Sequence, residues 1–312
     1  MSQLNILLIA EESAGLELLK WFSESRKQCH IVAVMAAPNK SPLPWNLSVW
    51  SLAEQLKFNR WPIQHVKESV FAKKIQKFDI DLIICVRCSY ILGEDILKIP
   101  KIGSFNLHNG LLPYYAGLNV GSWAIYHGEK EAGVTLHYMT PEIDSGNIVY
   151  QAEFPIDEND TGLSVLQKCM TFGTPLIKKL IQTVSNDSST IPSVPQDLNK
   201  GRYFDGSVPQ KGRLIWAKTA EEIVNFVRAC NYHPFDSPWG YPKTKYNNRN
   251  IQIAEAIKTG ISCDKMPGSV GKVTKDGALI ASGDEWVLVK TVISEYKRSS
   301  SLDILQVNSH LS

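Results

Sequence analysis

Short apolar runs, each long enough for one buried strand, alternate with amphipathic stretches through the N-terminal part of the chain. The strands predicted from these runs occupy residues 4–10, 30–36, 61–66 and 80–86. The helices predicted between them include residues 47–58 and 68–77. Strands that alternate with helices form βαβ units, which place a parallel sheet between layers of helices. This alternation therefore restricts the N-terminal part of the chain to an α/β fold.

The pattern changes after the strand predicted at 80–86. Further strands are predicted at residues 104–107, 134–139 and 148–154, followed by one long helix at 161–183. The next stretch is polar and contains prolines, and after it come short strands broken by Gly, Pro and Asn, with a Lys275-Asp276-Gly277 turn suited to a hairpin. We therefore predict three parts, which are an α/β, Rossmann-like parallel-sheet domain over 1–190, a linker over 191–208 and a smaller β-rich domain of OB or barrel type over 209–312.

Composition excludes several classes of protein. The formal net charge of +2 does not predict nucleic-acid binding from bulk electrostatics. No apolar stretch approaches the roughly 20 residues of a membrane span, and the N-terminus lacks the basic segment and cleavage site of a signal peptide. The six cysteines are scattered, and Cys85-x-x-Cys88 has no second pair at metal-ligand spacing. We expect free thiols, no metal, no membrane partner and a cytoplasmic location.

Three polar residues in the middle of the chain suit acyl transfer to an amine. Asn106 and His108 are two apart on a predicted strand, so their side chains share one face, and Asp144 follows a later strand in a Ser-Gly turn. In an open α/β sheet, ligands bind where strands end. An Asn amide can donate to the oxyanion, a His can move protons near neutral pH, and an Asp can orient the imidazole and take the amine's proton.

Each of these three residues also has an ordinary structural explanation. A single His in a strand is more often a hydrogen-bonded structural residue than a catalyst. An Asp before Ser-Gly is typical of a turn. The functional interpretation therefore depends on the whole sequence around them, and not on any one residue.

That surrounding sequence resembles the folate-dependent formyltransferase family, over about 45 residues that match in order and spacing. The matching motifs are Asn106-Leu107-His108, Leu111-Leu112-Pro113-Tyr114-Tyr115-Ala116-Gly117, Gly128-Glu129, Gly133-Val134-Thr135-Leu136-His137 and Asp144-Ser145-Gly146. A second stretch, Gly212-Arg213-Leu214-Ile215-Trp216, looks like the entrance to the family's C-terminal domain. Residues 1–100 match in pattern only.

The resemblance implies a donor and roles for the residues. The donor would be 10-formyltetrahydrofolate. Asn106 and His108 would polarise and stabilise the formyl oxygen, while Asp144 would orient His108 and assist removal of the proton. The pterin ring would enter an apolar slot after the strand that ends near Val86, beside the loop before Asp144. The residues implied for this slot are Arg87, Cys88, Ser89, Tyr90, Ile91, Leu92 and Met139.

Two departures from the family pattern bear on the acceptor. Methionyl-tRNA formyltransferases resemble this chain but carry arginines where it has Tyr114 and Ala116, and their basic insertion corresponds here to 38–48, which holds only Lys40. A tRNA partner needs many phosphate contacts, so these losses argue against it. The start at 10–13 is more similar to that of formyltransferases acting on small amines. The favoured acceptor is an amino sugar on a nucleotide diphosphate, with Tyr114, Tyr115, Gly117 and Arg202 as its binding residues.

Three other functions stay open at the level of sequence. The first is a methionyl-tRNA formyltransferase, and the second is a formyltetrahydrofolate hydrolase that passes the formyl group to water. The third is a silent folate- or nucleotide-binding module, against which the intact Asn106, His108 and Asp144 count. The sequence also leaves open the identity of the amine and the oligomeric state, a homodimer included.

Overall fold

The protein is described by a computed structural model that covers residues 3–38, 47–88 and 90–312, without the side chains of residues 12 and 13. Lys40 and Ser89, both singled out above, lie outside these residues. The chain forms two compact units. The first comprises Met1–Gly117, Gly133–Phe154 and Lys168–Tyr203, and the second comprises Leu118–Ala132, Pro155–Gln167 and Phe204–Ser312.

The strands and helices have the following bounds. The strands are β1 Leu4–Ala10, β2 Cys29–Ala36, β3 Arg60–Pro62, β4 Leu82–Val86, β5 Gly103–His108, β6 Ala116–Gly117, β7 Glu131–Tyr138, β8 Ile148–Pro155, β9 Tyr203–Phe204, β10 Lys243–Tyr246, β11 Arg249–Ser262, β12 Val270–Thr274, β13 Gly277–Ala281, β14 Glu285–Ser294 and β15 Lys297–Ser300. The helices are α1 Glu12–Glu24, α2 Val49–Gln55, α3 Phe71–Ile75, α4 Glu94–Leu97, α5 Val120–His127, α6 Gly162–Asp187 and α7 Ala220–Ala229.

The predicted α/β fold with a mostly parallel sheet is confirmed. Among the described residues, seven strands pair in the order β3-β2-β1-β4-β5-β7-β8. The first five run parallel to their neighbours, and β7 is antiparallel to β5. All five residues of β4 are buried, as expected for a central strand of a parallel sheet covered on both faces. The sheet thus brings the end of β5 next to β7.

Three of the predicted elements differ from the structure, and one is the helix predicted at 47–58, because α2 covers only Val49–Gln55. The strand predicted at 61–66 ends at Pro62, and Ile63–Lys67 is a 3₁₀ helix that buries Ile63 and Val66 on one side. Proline has no N–H for a continued ladder, and the i, i+3 spacing of the apolar residues fits the 3₁₀ turn. The helix predicted at 68–77 is shorter, because α3 covers only Phe71–Ile75.

The long helix and the C-terminal β structure agree with prediction. The helix α6 runs to Asp187 with Pro175 inside it. The C-terminal strands form an antiparallel sheet in the order β10-β11-β14-β13-β12, with β15 paired to β14. In the predicted hairpin, Thr274 pairs with Gly277 across the turn. Within the described part of the chain, no helix is long and apolar enough to cross a membrane.

Candidate active site

The site is built on two neighbouring strands whose polar residues face each other. In the β5–β7 register, Asn106 is opposite His137 and His108 is opposite Thr135. Directly opposed residues of an antiparallel pair have Cβ atoms roughly 4.5–5.5 Å apart. Since side chains alternate along each strand, these four side chains share one face. The N-x-H motif of β5 therefore meets a T-x-H motif of β7.

The loop that follows β7 delivers a carboxylate to the same face. Asp144 adopts a left-handed backbone conformation with a φ of 55°. The Gln196 amide donates to the carbonyl oxygens of Asp144 at 2.9 Å and Gly146 at 2.6 Å. A Cβ on Gly146 would lie 1.9 Å from the carbonyl oxygen of Tyr138, so the loop closes against the strand too tightly for a side chain. These contacts hold the Asp144 loop in one conformation.

His108 and Asp144 meet in a buried pair. The Nδ1 atom of His108 lies 3.4 Å from Oδ2 of Asp144, and the two side chains are 7% and 8% exposed. The same Oδ2 accepts a hydrogen bond of 2.8 Å from the backbone N–H of Gly117. On the other side of the ring, His108 Nε2 lies 2.7 Å from the carbonyl oxygen of Tyr115. The imidazole is thus held between a carboxylate and a carbonyl.

The partners of His108 assign its tautomer. A carbonyl oxygen can only accept, so Nε2 carries the hydrogen and donates it to Tyr115. In the neutral ring, Nδ1 then keeps its lone pair, and its 3.4 Å separation from Oδ2 of Asp144 is longer than a normal hydrogen bond. This nitrogen is a proton acceptor placed next to a negative charge that would stabilise the imidazolium.

Burial and charge set the pKa values of the pair. Burial lowers the pKa of His108 below its ordinary value of 6.5, and the nearby Asp144 charge offsets only part of that shift. Burial disfavours the charged form of Asp144 as well. The charge of His108 and the hydrogen bond from the Gly117 N–H are among the interactions that outweigh it, so the pKa of Asp144 lies below its ordinary 3.8. At neutral pH the pair is a carboxylate beside a neutral imidazole.

His137 is the side chain that links Asn106 to the rest of the site. Its Nδ1 atom lies 2.8 Å from the carbonyl oxygen of Tyr138, and its Nε2 atom lies 3.1 Å from Nδ2 of Asn106. Its Nε2 is also 3.5 Å from Oδ1 of Asp144. The sequence left open whether His137 lines the site or merely fills a strand position. The structure places it among the three predicted catalytic residues.

Thr135 fixes the loop that follows His108. Its hydroxyl donates to the carbonyl oxygen of Gly110 at 2.7 Å. It accepts hydrogen bonds from the backbone N–H of Leu112 at 3.1 Å and from the Gln151 amide at 2.9 Å. Gln151 also donates to the carbonyl oxygen of Leu112 at 2.8 Å. Thr135 is fully buried, so these bonds are shielded from water and define the path of the chain toward Tyr115.

The residues predicted for the donor lie after β4, apart from Met139, which follows β7. Most of them belong to or pack against one hydrophobic core cluster. Cys88, Tyr90 and Met139 pack against the same hydrophobic core cluster. Leu92 belongs to that cluster and is 2% exposed, whereas Ile91 is 70% exposed. The loop after β4 and Met139, which follows β7, therefore pack on the same core cluster.

Three further interactions characterise this loop. Arg87 follows β4 directly with a φ of 60°, and its charge contributes to the lowered pKa of His108 after burial. The Lys67 ammonium lies 4.7 Å from the centre of the Tyr90 ring. The Sγ atom of Cys88 lies 3.3 Å from the backbone N and 3.2 Å from the carbonyl oxygen of Tyr90. Of these residues, Arg87 is the one whose charge acts on the catalytic pair.

The predicted acceptor residues cluster around the loop after β5. Tyr114 is 53% exposed, and Tyr115 and Gly117 contact the catalytic pair through their backbone atoms. Arg202 is exposed, and its carbonyl oxygen accepts a hydrogen bond of 3.0 Å from the backbone N–H of Ala116. Of the four residues predicted for the acceptor, Tyr115 and Gly117 therefore contact the pair, while Tyr114 and Arg202 are their neighbours in the chain and in the backbone pairing.

Residues outside the motifs complete the site. Sequence reasoning did not assign a role to Thr135, Gln151 or Gln196, and His137 was undecided. The sequence does indicate that Thr135 and His137 lie on the same face of a strand. Only the register with β5 shows that this face is opposite Asn106 and His108. Within residues 3–38, 47–88 and 90–312, no group of three or more His, Cys, Asp or Glu side chains is arranged to hold a metal ion.

Comparison with known proteins gives concordant matches over nearly the whole chain. The sequence profile described as formyl transferase matches residues 5–181, and that described as formyl transferase, C-terminal domain, matches residues 207–307. A methionyl-tRNA formyltransferase of Staphylococcus aureus is 30% identical over 219 residues, which are 70% of this chain and 68% of the relative.

Solved structures with low sequence identity share the fold. An N-formyltransferase from Helicobacter canadensis, in complex with folinic acid and dTDP-3-aminofucose, has a TM-score of 0.68 at 21% identity, covering 92% of this chain and 98% of the other. WlaRD, a sugar 3N-formyl transferase solved in the presence of dTDP and 5-N-formyl-THF, has a TM-score of 0.69 at 22% identity, covering 93% and 97%.

Proposed function

Because this chain belongs to the formyl transferase family, we propose that it moves a formyl group from 10-formyltetrahydrofolate to a primary amine. The observation that carries this proposal is a chain of contacts in which His137 lies between Asn106 and Asp144, and Asp144 pairs with the buried His108. It supplies an amide donor, a proton acceptor and a carboxylate. We assign the chemistry to the domain predicted over 1–190, joined by 191–208 to the β-rich domain over 209–312. Its location is the cytoplasm, whose reducing conditions suit free thiols.

The loop after β4 provides the donor site in this proposal. The side chains of Cys88, Tyr90 and Met139 offer an apolar support for a flat pterin ring, since all three pack on the core cluster. The backbone of the loop supplies hydrogen-bonding groups for the ring. Two proteins of the same fold were solved with reduced formyl folates, which fits a folate at this position.

The transfer proceeds by direct attack of the amine. The amine nitrogen bonds to the formyl carbon of 10-formyltetrahydrofolate, and the bond from that carbon to N10 breaks. His108 Nδ1 accepts the proton that the amine loses, and Asp144 stabilises the resulting imidazolium. The same proton then passes to N10 of the departing tetrahydrofolate. The products are one formamide and one tetrahydrofolate, so no serine or cysteine nucleophile is needed.

In this scheme, Asn106 is the residue that stabilises the oxyanion. The only N–H of the neutral His108 ring donates to Tyr115, so the ring has no hydrogen left for the formyl oxygen. The Asn106 amide has a second N–H beyond the one directed at His137. This refines the roles implied by family resemblance, where both residues stabilised the formyl oxygen.

The acceptor we propose is an amino sugar carried on a nucleotide diphosphate. The loop that borders the catalytic pair presents the exposed Tyr114 ring, where methionyl-tRNA formyltransferases resembling this chain carry an arginine. Arg202 adds an exposed cation beside that loop, of the kind that binds a diphosphate. The two formyltransferase structures noted above support this choice, because one was solved with dTDP-3-aminofucose and the other with dTDP.

A charged initiator tRNA is the second candidate. It is favoured by the 30% identity to methionyl-tRNA formyltransferase of Staphylococcus aureus. The two acceptors differ in how their binding depends on salt. Binding of a tRNA releases counterions from many phosphates, so its affinity falls steeply between about 50 and 200 mM salt, whereas a nucleotide sugar with two phosphates responds far less.

One experiment tests both the reaction and the acceptor. The protein is incubated with 10-formyltetrahydrofolate and either a panel of dTDP-, UDP- and GDP-linked amino sugars or methionyl initiator tRNA, and products are analysed by mass spectrometry. We expect one added formyl group on a nucleotide sugar. Formylation of the tRNA alone would overturn the sugar assignment, and a formyl gain on neither class would overturn the proposed function.

Matched variants assign the reaction to the proposed residues. His108→Ala and Asn106→Ala should each lower turnover by roughly 10²-fold or more, the usual effect of losing a proton-transfer group or an oxyanion donor. His30→Ala is the control, since His30 is exposed on β2 and remote in sequence from the site. A His108→Ala enzyme as fast as the His30→Ala enzyme would refute the catalytic assignment.

A further inference from the structure

A second histidine acts on the reaction through Asn106. Resting on the formyl transfer proposed above, we infer that His137 is a positioning residue that fixes the orientation of the Asn106 amide. His137 is 2% exposed and lies directly opposite Asn106 in the β5–β7 register. Its Nε2 atom is 3.1 Å from Nδ2 of Asn106, a normal hydrogen-bond distance.

The backbone decides which nitrogen of His137 carries the hydrogen. Nδ1 lies 2.8 Å from the carbonyl oxygen of Tyr138, which can only accept, so Nδ1 must donate. In the neutral ring, Nε2 is then an acceptor. Only the N–H side of the Asn106 amide can satisfy it, and the amide oxygen is excluded from that position because two acceptors would face each other.

Fixing one N–H of the amide fixes the other. The two hydrogens on Nδ2 lie in the plane of the amide about 120° apart, so when one is directed at His137 the second has a single direction within that plane. This second N–H is the donor that the transfer needs at the formyl oxygen. His137 therefore supplies no atom to the reaction, and acts by selecting the face of Asn106 that meets the oxyanion.

Without His137, the Asn106 amide is no longer held in this orientation. The terminal torsion of Asn is broad and roughly two-fold, so an unconstrained amide samples the flipped orientation. The flipped amide would present its oxygen to the developing negative charge and destabilise the transition state. Because donors of this kind act on the transition state, the loss should appear mainly in kcat and little in KM.

Two other roles for His137 make different predictions. A purely structural residue of the sheet would affect unfolding and activity independently of Asn106. A residue acting through Asp144, whose Oδ1 lies 3.5 Å from His137 Nε2, would change turnover even when Asn106 is absent. A double-mutant cycle between His137 and Asn106 separates these cases.

The test compares four enzymes with the acceptor that the panel identifies, namely the unmodified protein, Asn106→Ala, His137→Ala and the double variant. We expect His137→Ala to lower kcat by roughly 10- to 100-fold with KM within a factor of about three. In the Asn106→Ala background the same change should cost less than a factor of about three. The inference would be overturned if the loss of kcat in the double variant equalled the product of the two single losses. It would also be overturned by a His137→Ala enzyme with full kcat.

Two conservative variants keep the test independent of folding. In His137→Gln the side-chain oxygen can reach the place of Nε2 and accept from Asn106, whereas the shorter His137→Asn cannot. We expect Gln to recover most of the lost kcat and Asn to recover none, and equal rates for the two would contradict the inference. If Asn106→Ala itself retains full activity, the proposed catalytic function fails, and this outcome differs from a failure of the His137 inference alone.

Discussion

The Nδ1 atom of His108 lies 3.4 Å from Oδ2 of Asp144, while the opposite nitrogen of the ring donates to the carbonyl oxygen of Tyr115. One imidazole thus has a fixed hydrogen on one side and an open lone pair beside a carboxylate on the other. This arrangement makes His108 a proton acceptor rather than a proton donor at the start of the reaction.

The pKa of His108 should lie below 6.5. Burial lowers it, and the Asp144 charge offsets that shift only in part. Removing the charge in Asp144→Asn should lower the pKa of His108 further, because the imidazolium loses its stabilising partner. An NMR titration of the His108 ring, assigned with His108→Gln, measures both values.

Activity should follow the same titration. Protonated Nδ1 cannot accept the proton of the amine, so turnover should fall as the pH drops through the pKa of His108. In the NMR experiment, a pKa above 6.5 in the unmodified protein would contradict the burial argument. A pKa that rises in Asp144→Asn would contradict the pairing with Asp144.

Thr135→Val should weaken both stability and turnover. The substitution leaves the Leu112 N–H without its acceptor inside a buried site and removes one of the two partners of Gln151, at a cost of about 1–3 kcal/mol. The loop that carries Tyr115 then loses its anchor, so the ring of His108 is held less firmly. Urea unfolding and kcat measure the two effects.

The control for Thr135→Val is an exposed threonine. Thr190 donates its hydroxyl to the carbonyl oxygen of Asp187 at the surface, and Thr190→Val should change the free energy of unfolding by less than about 0.5 kcal/mol. If Thr135→Val were as mild as Thr190→Val, the hydroxyl of Thr135 would not be the anchor of the loop.

Gly146→Ala should displace the Asp144 loop. The added methyl group would meet the carbonyl oxygen of Tyr138 at 1.9 Å, so the backbone must move, at a cost of about 1–3 kcal/mol. Gly206→Ala is the matched control, because its methyl group would meet nothing nearer than 3.9 Å. Thermal unfolding and kcat should both fall for Gly146→Ala and stay unchanged for Gly206→Ala.

The sequence was sufficient for the elements that depend on local pattern. The alternation of apolar runs predicted the parallel sheet, and the two-residue spacing of Asn106 and His108 predicted their common face, since both follow from the period of a strand. The strand predicted at 61–66 was wrong beyond Pro62, because a missing N–H and three-residue spacing of apolar side chains outweighed β propensity there.

The parts of the site that sequence reasoning missed depend on register and on distant partners. His137 acquires a role only because β7 pairs with β5 so that it faces Asn106. Gln196 belongs to a stretch predicted to be a linker, yet its amide bonds the carbonyl oxygens of Asp144 and Gly146. Such bonds from a side chain to distant backbone leave no periodic signal in the sequence.

The most direct test of the central claim is the stoichiometry of the transfer. The protein is mixed with 10-formyltetrahydrofolate, with and without the amine acceptor, and tetrahydrofolate, formate and formylated amine are quantified in the same reaction. We predict one tetrahydrofolate for each formylated amine, and neither product nor formate when the amine is left out. Release of formate without an amine, or formation of tetrahydrofolate without a matching formamide, would contradict the account.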